Sequence, residues 1–313
     1  TLGDFRADNF DLHQGYLELA SVPLLGGSLR TGRQEMALGE QRLVGAVNWT
    51  QQGRSFDGAR YLRTFESFQL QLFGMKLTEA TSPARDYDSE FLGAWGTLGL
   101  EKAGTLELFG LFTRDERDAG VEEETFGALW RGGLGPVGLR AEGSVQGGTR
   151  GGQDVSAFMF AFRGGVAVAE RATLTLWYDY LSGDGDPADG ESRVFSTLFA
   201  TNHAFYGFAD YFLDIPVHTG GLGLTDSALK LTLSPRHDLS LGLDLHHFRT
   251  AEQGGLSTRT LGNELDLTLR WAMVPGLDLT SGYSFFQVRD GMEELGRLSE
   301  DAHWLYLMLD AAF

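Results

Sequence analysis

Trp304-Leu-Tyr-Leu-Met-Leu-Asp-Ala-Ala-Phe313 is a strand-length segment with two unlike faces. Side chains of an extended chain alternate with a period of two, which sets Leu305, Leu307, Leu309, Ala311 and Phe313 on one side. Tyr306 and Asp310 fall on the other. An apolar face ending in an aromatic, backed by a polar face, is how a strand reads when lipid lies outside it and water inside.

The same alternation recurs upstream, in Ala228-Leu-Lys-Leu-Thr-Leu233, Leu239-Ser-Leu-Gly-Leu-Asp-Leu-His246, Glu264-Leu-Asp-Leu-Thr-Leu-Arg270 and Leu277-Asp-Leu-Thr280. Leu fills one face and Lys, Ser, Asp, Thr, His or Arg the other. A water-soluble β-sandwich alternates too. The membrane reading is favoured by the aromatics that recur on or near the apolar faces, at Phe158, Phe160, Phe162, Tyr178, Tyr180, Tyr283, Phe285 and Phe313, as in the girdles at a bilayer interface.

Composition agrees. The 313 residues include 43 Gly, 7 Pro and no Cys, and no apolar run reaches the roughly 18 residues of a membrane-spanning helix. The formal net charge of −18 opposes nucleic-acid binding, which rests on clustered Lys and Arg, so no nucleic-acid partner is expected. The acidic stretches Asp115-Glu-Arg-Asp118 with Glu122-Glu-Glu124, and Asp184 to Glu191, read as loops in water.

Connections alternate in length. Leu25-Gly-Gly27, Lys102-Ala-Gly104, Gly135-Pro136, Glu170-Arg171, Pro235-Arg-His-Asp238 and Pro275-Gly276 read as tight turns. Between them stand longer junctions: 39–55, 79–89, 115–124, 147–154, 183–221, 251–259 and 290–300. Short periplasmic turns opposite long external loops are the bacterial outer-membrane arrangement. The fold class expected is therefore all-β, a single antiparallel transmembrane β-barrel over 1–313, with about 15 strands visible and about 16 to 18 in a complete barrel of even strand number. The first strand is expected near Asp11 to Leu19, and N-terminal strands are expected to precede Thr1.

Two blocks resemble the alginate-export family of outer-membrane porins. One holds Leu12-His-Gln-Gly-Tyr-Leu-Glu-Leu19, Gly32-Arg-Gln-Glu35, Gly39-Glu-Gln-Arg-Leu-Val-Gly45, Trp49 and Gly53-Arg-Ser-Phe-Asp-Gly-Ala-Arg60. The other runs from Trp177-Tyr-Asp-Tyr-Leu-Ser-Gly-Asp184 through Phe195-Ser-Thr-Leu-Phe-Ala-Thr-Asn-His203 to Phe205-Tyr-Gly-Phe-Ala-Asp-Tyr-Phe212. The resemblance implies a barrel of about eighteen strands with an aqueous lumen, about three of them ahead of the first block. It also implies an arginine-lined passage for an anionic polysaccharide, in a family whose name covers many porins of unassigned cargo.

Alternation assigns Arg131, Arg140, Arg163, Lys230 and Arg270 to the lumen, together with Glu107, Glu142, Asp179, Asp244, Glu264, Asp266 and Asp278. Such a mixture also suits wall-stiffening ion pairs. Arg33, Arg42, Arg54, Asp57 and Arg60 stand in the first family-like block and are pore or substrate candidates, since guanidinium recognises carboxylates in a planar, bidentate way. Alternation leaves open whether Arg30 or Arg33 faces inward. The aromatic stretch 195–212, within a candidate inward-folded loop at 185–221, places His203 among the substrate candidates; an extra strand at 205–212 is the other reading.

Asp184, Asp186 and Asp189 are weak calcium candidates whose spacing departs from the regular calcium loop. The His residues form no zinc pattern, and His246-His247 points its rings to opposite faces. No phosphate-binding loop or nucleophile elbow appears, so neither an enzyme nor a cofactor is expected. The sequence reads as an outer-membrane channel for diffusion or export of polar or anionic saccharides or small organic acids. Its partners would be membrane lipid, the cargo and periplasmic export proteins. A structural or adhesive barrel with a plugged lumen is the alternative.

Overall fold

The computed structural model describes residues 12–49, 53–78, 88–116 and 120–312. The first strands are β1 (Gly15–Leu19), β2 (Ser28–Gln34), β3 (Phe56–Thr64), β4 (Phe68–Thr78), β5 (Ser89–Gly99) and β6 (Thr105–Asp115). Next come β7 (Val121–Leu134), β8 (Val137–Arg150), β9 (Gln153–Ala169), β10 (Ala172–Leu181) and β11 (Glu191–Ser192). The last are β12 (Leu224–Arg236), β13 (Leu239–Arg249), β14 (Thr260–Val274), β15 (Leu277–Val288) and β16 (Ala302–Ala311). Hydrogen bonding joins each to the next in chain order, except that β10 pairs with β12 and the two-residue β11 lies parallel to β9 off the main path. Asp11 and Phe313 lie outside the described residues, and the first described strand starts at Gly15.

Tight turns fall at Gly135-Pro136, Glu170-Arg171, His237-Asp238 and Pro275-Gly276, and a further short connection, Phe65-Glu-Ser67, carries no Gly or Pro to announce it. One expected long junction is absent. Gly147 to Asp154 is strand on both sides of a two-residue turn at Gly151-Gly152, whose φ values of 60° and 80° suit only glycine-like positions. Gly148 looked like loop but serves the ladder: with φ at 109°, a Cβ there would stand 2.0 Å from the Glu122 carbonyl oxygen. Glu122-Glu-Glu124 is likewise strand, at the start of β7.

The chain divides into two compact units: 1–130, 142–158 and 187–201 form the first, and 131–141, 159–186 and 202–313 the second. In the first, Phe56, Phe73, Phe91, Trp95, Phe109 and Leu129 turn inward and are buried by the β2–β3 connection, which brings Met36, Leu38, Leu43 and Val44. Val44 forms a parallel bridge with Phe199, and the Phe199 ring lies 4.7 Å from Phe91 and 5.5 Å from Phe56. In the second, residues 202–223 run through turns and short helical segments rather than a strand. They bury Phe205, Tyr206, Phe212 and Ile215, and Phe212 meets Phe248 at 4.6 Å.

The outward faces are the reverse of a water-soluble protein. Leu72, Leu92, Leu108 and Phe126 are exposed in the first unit, and Leu176, Leu229, Leu245, Leu267, Leu305, Leu307 and Leu309 in the second. Leucines of neighbouring strands pair laterally, Leu231 with Leu243 and Leu243 with Leu267, building a continuous apolar row. No helix among the described residues is long and apolar enough to cross a membrane. The strands do the spanning, and the fold is that of an antiparallel transmembrane β-barrel.

Candidate functional site

In the second unit, Arg131, Arg140, Arg163 and Lys230 occupy the inner faces of β7, β8, β9 and β12, each partly exposed. Burial alternates on these strands, with Met159 and Ala161 buried ahead of Arg163, and Asp226 and Ala228 ahead of Lys230, which fixes the side. Between them stands Trp177 of β10, with the Arg163 guanidinium 3.2 Å from its ring centre and the Lys230 ammonium at 4.3 Å. Lys230 also bonds Asp244 at 2.8 Å. Arg270 is inward and exposed on β14, facing Ser240 and Thr280 across the ladder.

Nearer the long connections the same inner face is acidic and sealed. Asp179, Asp226, Glu264 and Asp266 are almost fully buried. His246 bonds Asp226 at 2.8 Å, and Ser284 donates to Asp266 at 2.5 Å. The Ala209 amide donates to Glu264 Oε1 at 2.7 Å, so the 202–223 segment is clamped over these carboxylates. His203 belongs to that segment, bonded to Asp210 at 2.6 Å and 5.1 Å from the Phe208 ring. Gly207, at φ 78°, permits the approach: a Cβ there would meet Glu264 Oε2 at 2.4 Å. Gly207→Ala is therefore expected to cost at least the roughly 1–2 kcal/mol of a left-handed alanine. Limited proteolysis should then cut 202–223 faster than in the parent protein.

In the first unit, Arg42 is buried and stands 3.5 Å from buried Glu142. Arg54 directs one guanidinium nitrogen at the carbonyls of Gly45 (3.3 Å), Ala200 (3.2 Å) and Phe199. Burial in this connection pushes its pKa down to about 10, leaving it cationic at neutral pH. Arg30 and Arg60 face inward as register partners on β2 and β3, and Arg30 binds Glu18 at 2.7 Å and lies 4.0 Å from the Tyr16 ring centre.

Arg33 and Asp57 depart from the pore-facing expectation. They are register partners on the outward side, opposite in sense to buried Gln34 and Phe56, and form a bidentate pair with both N–O distances at 2.9 Å. Arg30, not Arg33, points inward; a short strand with Thr31 and Gly32 between them gave alternation nothing to anchor. Asp184 Oδ1 accepts the Asp186 amide at 3.0 Å, while Asp189 accepts from the Glu191 amide at 3.0 Å and from Arg193 at 2.8 Å. The Glu191 amide and Arg193 hold the Asp189 carboxyl below its usual range. Among the described residues no group of three or more His, Cys, Asp or Glu has metal-binding geometry.

The sequence profile of the alginate export family matches residues 3–302, nearly the whole chain. The chain belongs to the alginate export family. Solved structures place it among outer-membrane porins by fold. The outer membrane protein OprD of Pseudomonas aeruginosa is similar with a TM-score of 0.60 and 14% identity, over 91% of this chain and 75% of that one. OccAB1 of Acinetobacter baumannii gives 0.63 and 10%, over 91% and 74%. OccK3 (OpdO) of Pseudomonas aeruginosa gives 0.61 and 14%, over 91% and 76%. No curated protein matches the chain. Family and fold together make this alginate-export member a bacterial outer-membrane channel, not an enzyme.

Three features of this family member escaped the sequence. Trp177 opens the second family-like block without an assigned role, but is the inner surface on which Arg163 and Lys230 stack. Glu123 sits in an acidic run that suggests solvent, yet it is buried and bonded to Arg150. Phe199 anchors the β2–β3 connection from 145 residues beyond Arg54, a pairing that no local pattern encodes.

Proposed function

We propose that the channel passes small anionic saccharides or organic acids. The observation that carries this reading is an asymmetry of exposure on the inner faces. The carboxylates Glu107, Glu123, Glu142, Asp179, Asp226, Glu264 and Asp266 are buried, Asp244 is paired with Lys230 and Asp278 is exposed, whereas Arg30, Arg60, Arg131, Arg140, Arg163 and Arg270, though not the buried Arg42, keep contact with solvent. Water on these faces meets mainly guanidinium, although the chain as a whole is acidic. Within the second unit, Arg131, Arg140 and Arg163 on the successive strands β7, β8 and β9 offer a migrating carboxylate one bidentate partner after another.

Replacing Arg131 and Arg140 together by Gln tests this. Reversal potentials in a salt gradient should shift toward cations, and block by a dicarboxylate or an oligouronate should weaken. Both effects should fade toward 1 M salt, where the screening length falls to about 3 Å. A parent channel that already prefers cations strongly would overturn the anionic reading. The plugged-barrel reading draws on the close packing of Leu43, Val44, Phe195 and Phe199 inside the first unit; ion current through the purified protein separates the two.

A further inference from the structure

On the outward side of the second unit, His247, Asn263 and Gln287 are register partners on β13, β14 and β15. They share the face of Leu245, Leu265 and Phe285, where only apolar and girdle aromatic side chains are needed against lipid. Instead they form a bonded polar row. His247 Nδ1 stands 2.7 Å from Asn263 Oδ1, Asn263 Nδ2 donates to Gln287 Oε1 at 3.2 Å, and Arg289 donates to the same oxygen at 2.6 Å. Arg249, two residues past His247 and exposed, extends the row.

Among the described residues neither Arg249 nor Arg289 pairs with a carboxylate. That distinguishes them from three outward cations near the long connections of the first unit, where Arg33 pairs with Asp57 at 2.9 Å, Lys76 with Asp88 at 2.9 Å and Arg114 with Glu116 at 2.8 Å. Among the described residues the acidic side chains nearest in sequence, Asp290 beside Arg289 and Glu252 three past Arg249, form no ion pair with either arginine, while Asp301 is engaged by the Val288 amide at 2.9 Å and Glu294 by the Ser257 amide at 2.7 Å. Beside the row lies an apolar depression of about 820 Å³, bounded by Phe162, Leu176, Leu229, Leu245, Leu265 and Phe285. These residues belong to successive strands from β9 to β15, a width of about 24 Å at the usual strand spacing.

We propose that this face is a binding site for a phosphorylated, multiply acylated saccharolipid of the outer leaflet. The row sits at the long-connection ends of the strands, which face outward from the cell in bacterial barrels. Arg249 and Arg289 hold the phosphate through planar, charge-assisted hydrogen bonds, and the Asn263, Gln287 and His247 side chains meet sugar hydroxyls. The broad depression takes several acyl chains side by side, which favours such a lipid over a two-chain phospholipid.

The test is native mass spectrometry of the full chain, purified in detergent and titrated with diphosphoryl lipid A, its dephosphorylated form and phosphatidylglycerol. Diphosphoryl lipid A should bind best. Arg249→Ala with Arg289→Ala should weaken that binding by about tenfold or more, the loss expected of a charge-assisted contact or two. Lys76→Ala with Arg114→Ala, which removes paired outward cations, should leave it unchanged. Equal binding by the Arg249/Arg289 double variant, or equal binding of phosphatidylglycerol or the dephosphorylated lipid by the parent, would overturn the proposal. Because both arginine heads are exposed, the double variant should keep the parent's heat-modifiable migration on gels.

Discussion

Leu243→Arg is expected to destabilise the barrel by about 2 to 4 kcal/mol, the depth-dependent cost of an arginine on a lipid-facing strand near the bilayer centre. Leu243 lies in a lateral row with Leu231 on β12 and Leu267 on β14, and Leu267 in turn faces Tyr283 on β15. Every neighbour a guanidinium would find there is apolar or aromatic. The control is Thr232→Arg on β12, one residue from Leu231, on the opposite face and exposed. It should cost far less, because water reaches it from inside. Urea unfolding into and out of phosphatidylcholine bilayers measures both. Equal small losses, together with a monomer that stays soluble without detergent, would mean that the leucine face does not meet lipid.

The second large effect is expected at Arg54. Its guanidinium joins the β2–β3 connection to residues 199 and 200 through the carbonyls of Gly45, Phe199 and Ala200. Arg54→Ala leaves those oxygens without their donor inside the first unit, at roughly 1.5–3 kcal/mol for each hydrogen bond to a charged group. The segment carrying Phe195 and Phe199 should then loosen. Single-channel conductance should rise and protease cleavage between 193 and 201 should appear. Arg54→Lys should recover only part of the parent behaviour, since one ammonium cannot reproduce a planar fork. Unchanged conductance and cleavage would show that hydrophobic packing alone, such as Phe199 against Phe91, holds the segment.

What was legible in the sequence follows from how strictly a residue's environment repeats. Along β13 and β14 every second residue is Leu through the lipid belt, so the face of Leu243 and Leu267, and hence of Asp244 and Asp266, can be read directly. Pro275-Gly276 and Gly135-Pro136 mark turns because their backbone preferences leave few other uses. Gly147-Gly148 misled, since glycine serves a close approach within a ladder as readily as a loop. The candidate site was less legible than the fold. Arg131, Arg140, Lys230 and Arg270 follow from alternation alone, but the sealing of Glu264 by Ala209 depends on a contact across 55 residues. Exposure, which separates the solvent-facing arginines from the buried carboxylates, is a tertiary property that the strand period does not contain.

All of this presupposes an open passage. Purified protein inserted into a planar bilayer provides the most direct measurement, with single-channel current recorded in a symmetric potassium chloride solution and then in a gradient. Discrete openings of uniform size, reduced by a dicarboxylate added on one side, are the predicted result. Protein that inserts, shown by protected strands on proteolysis, yet carries no current at any voltage or salt concentration would contradict the account.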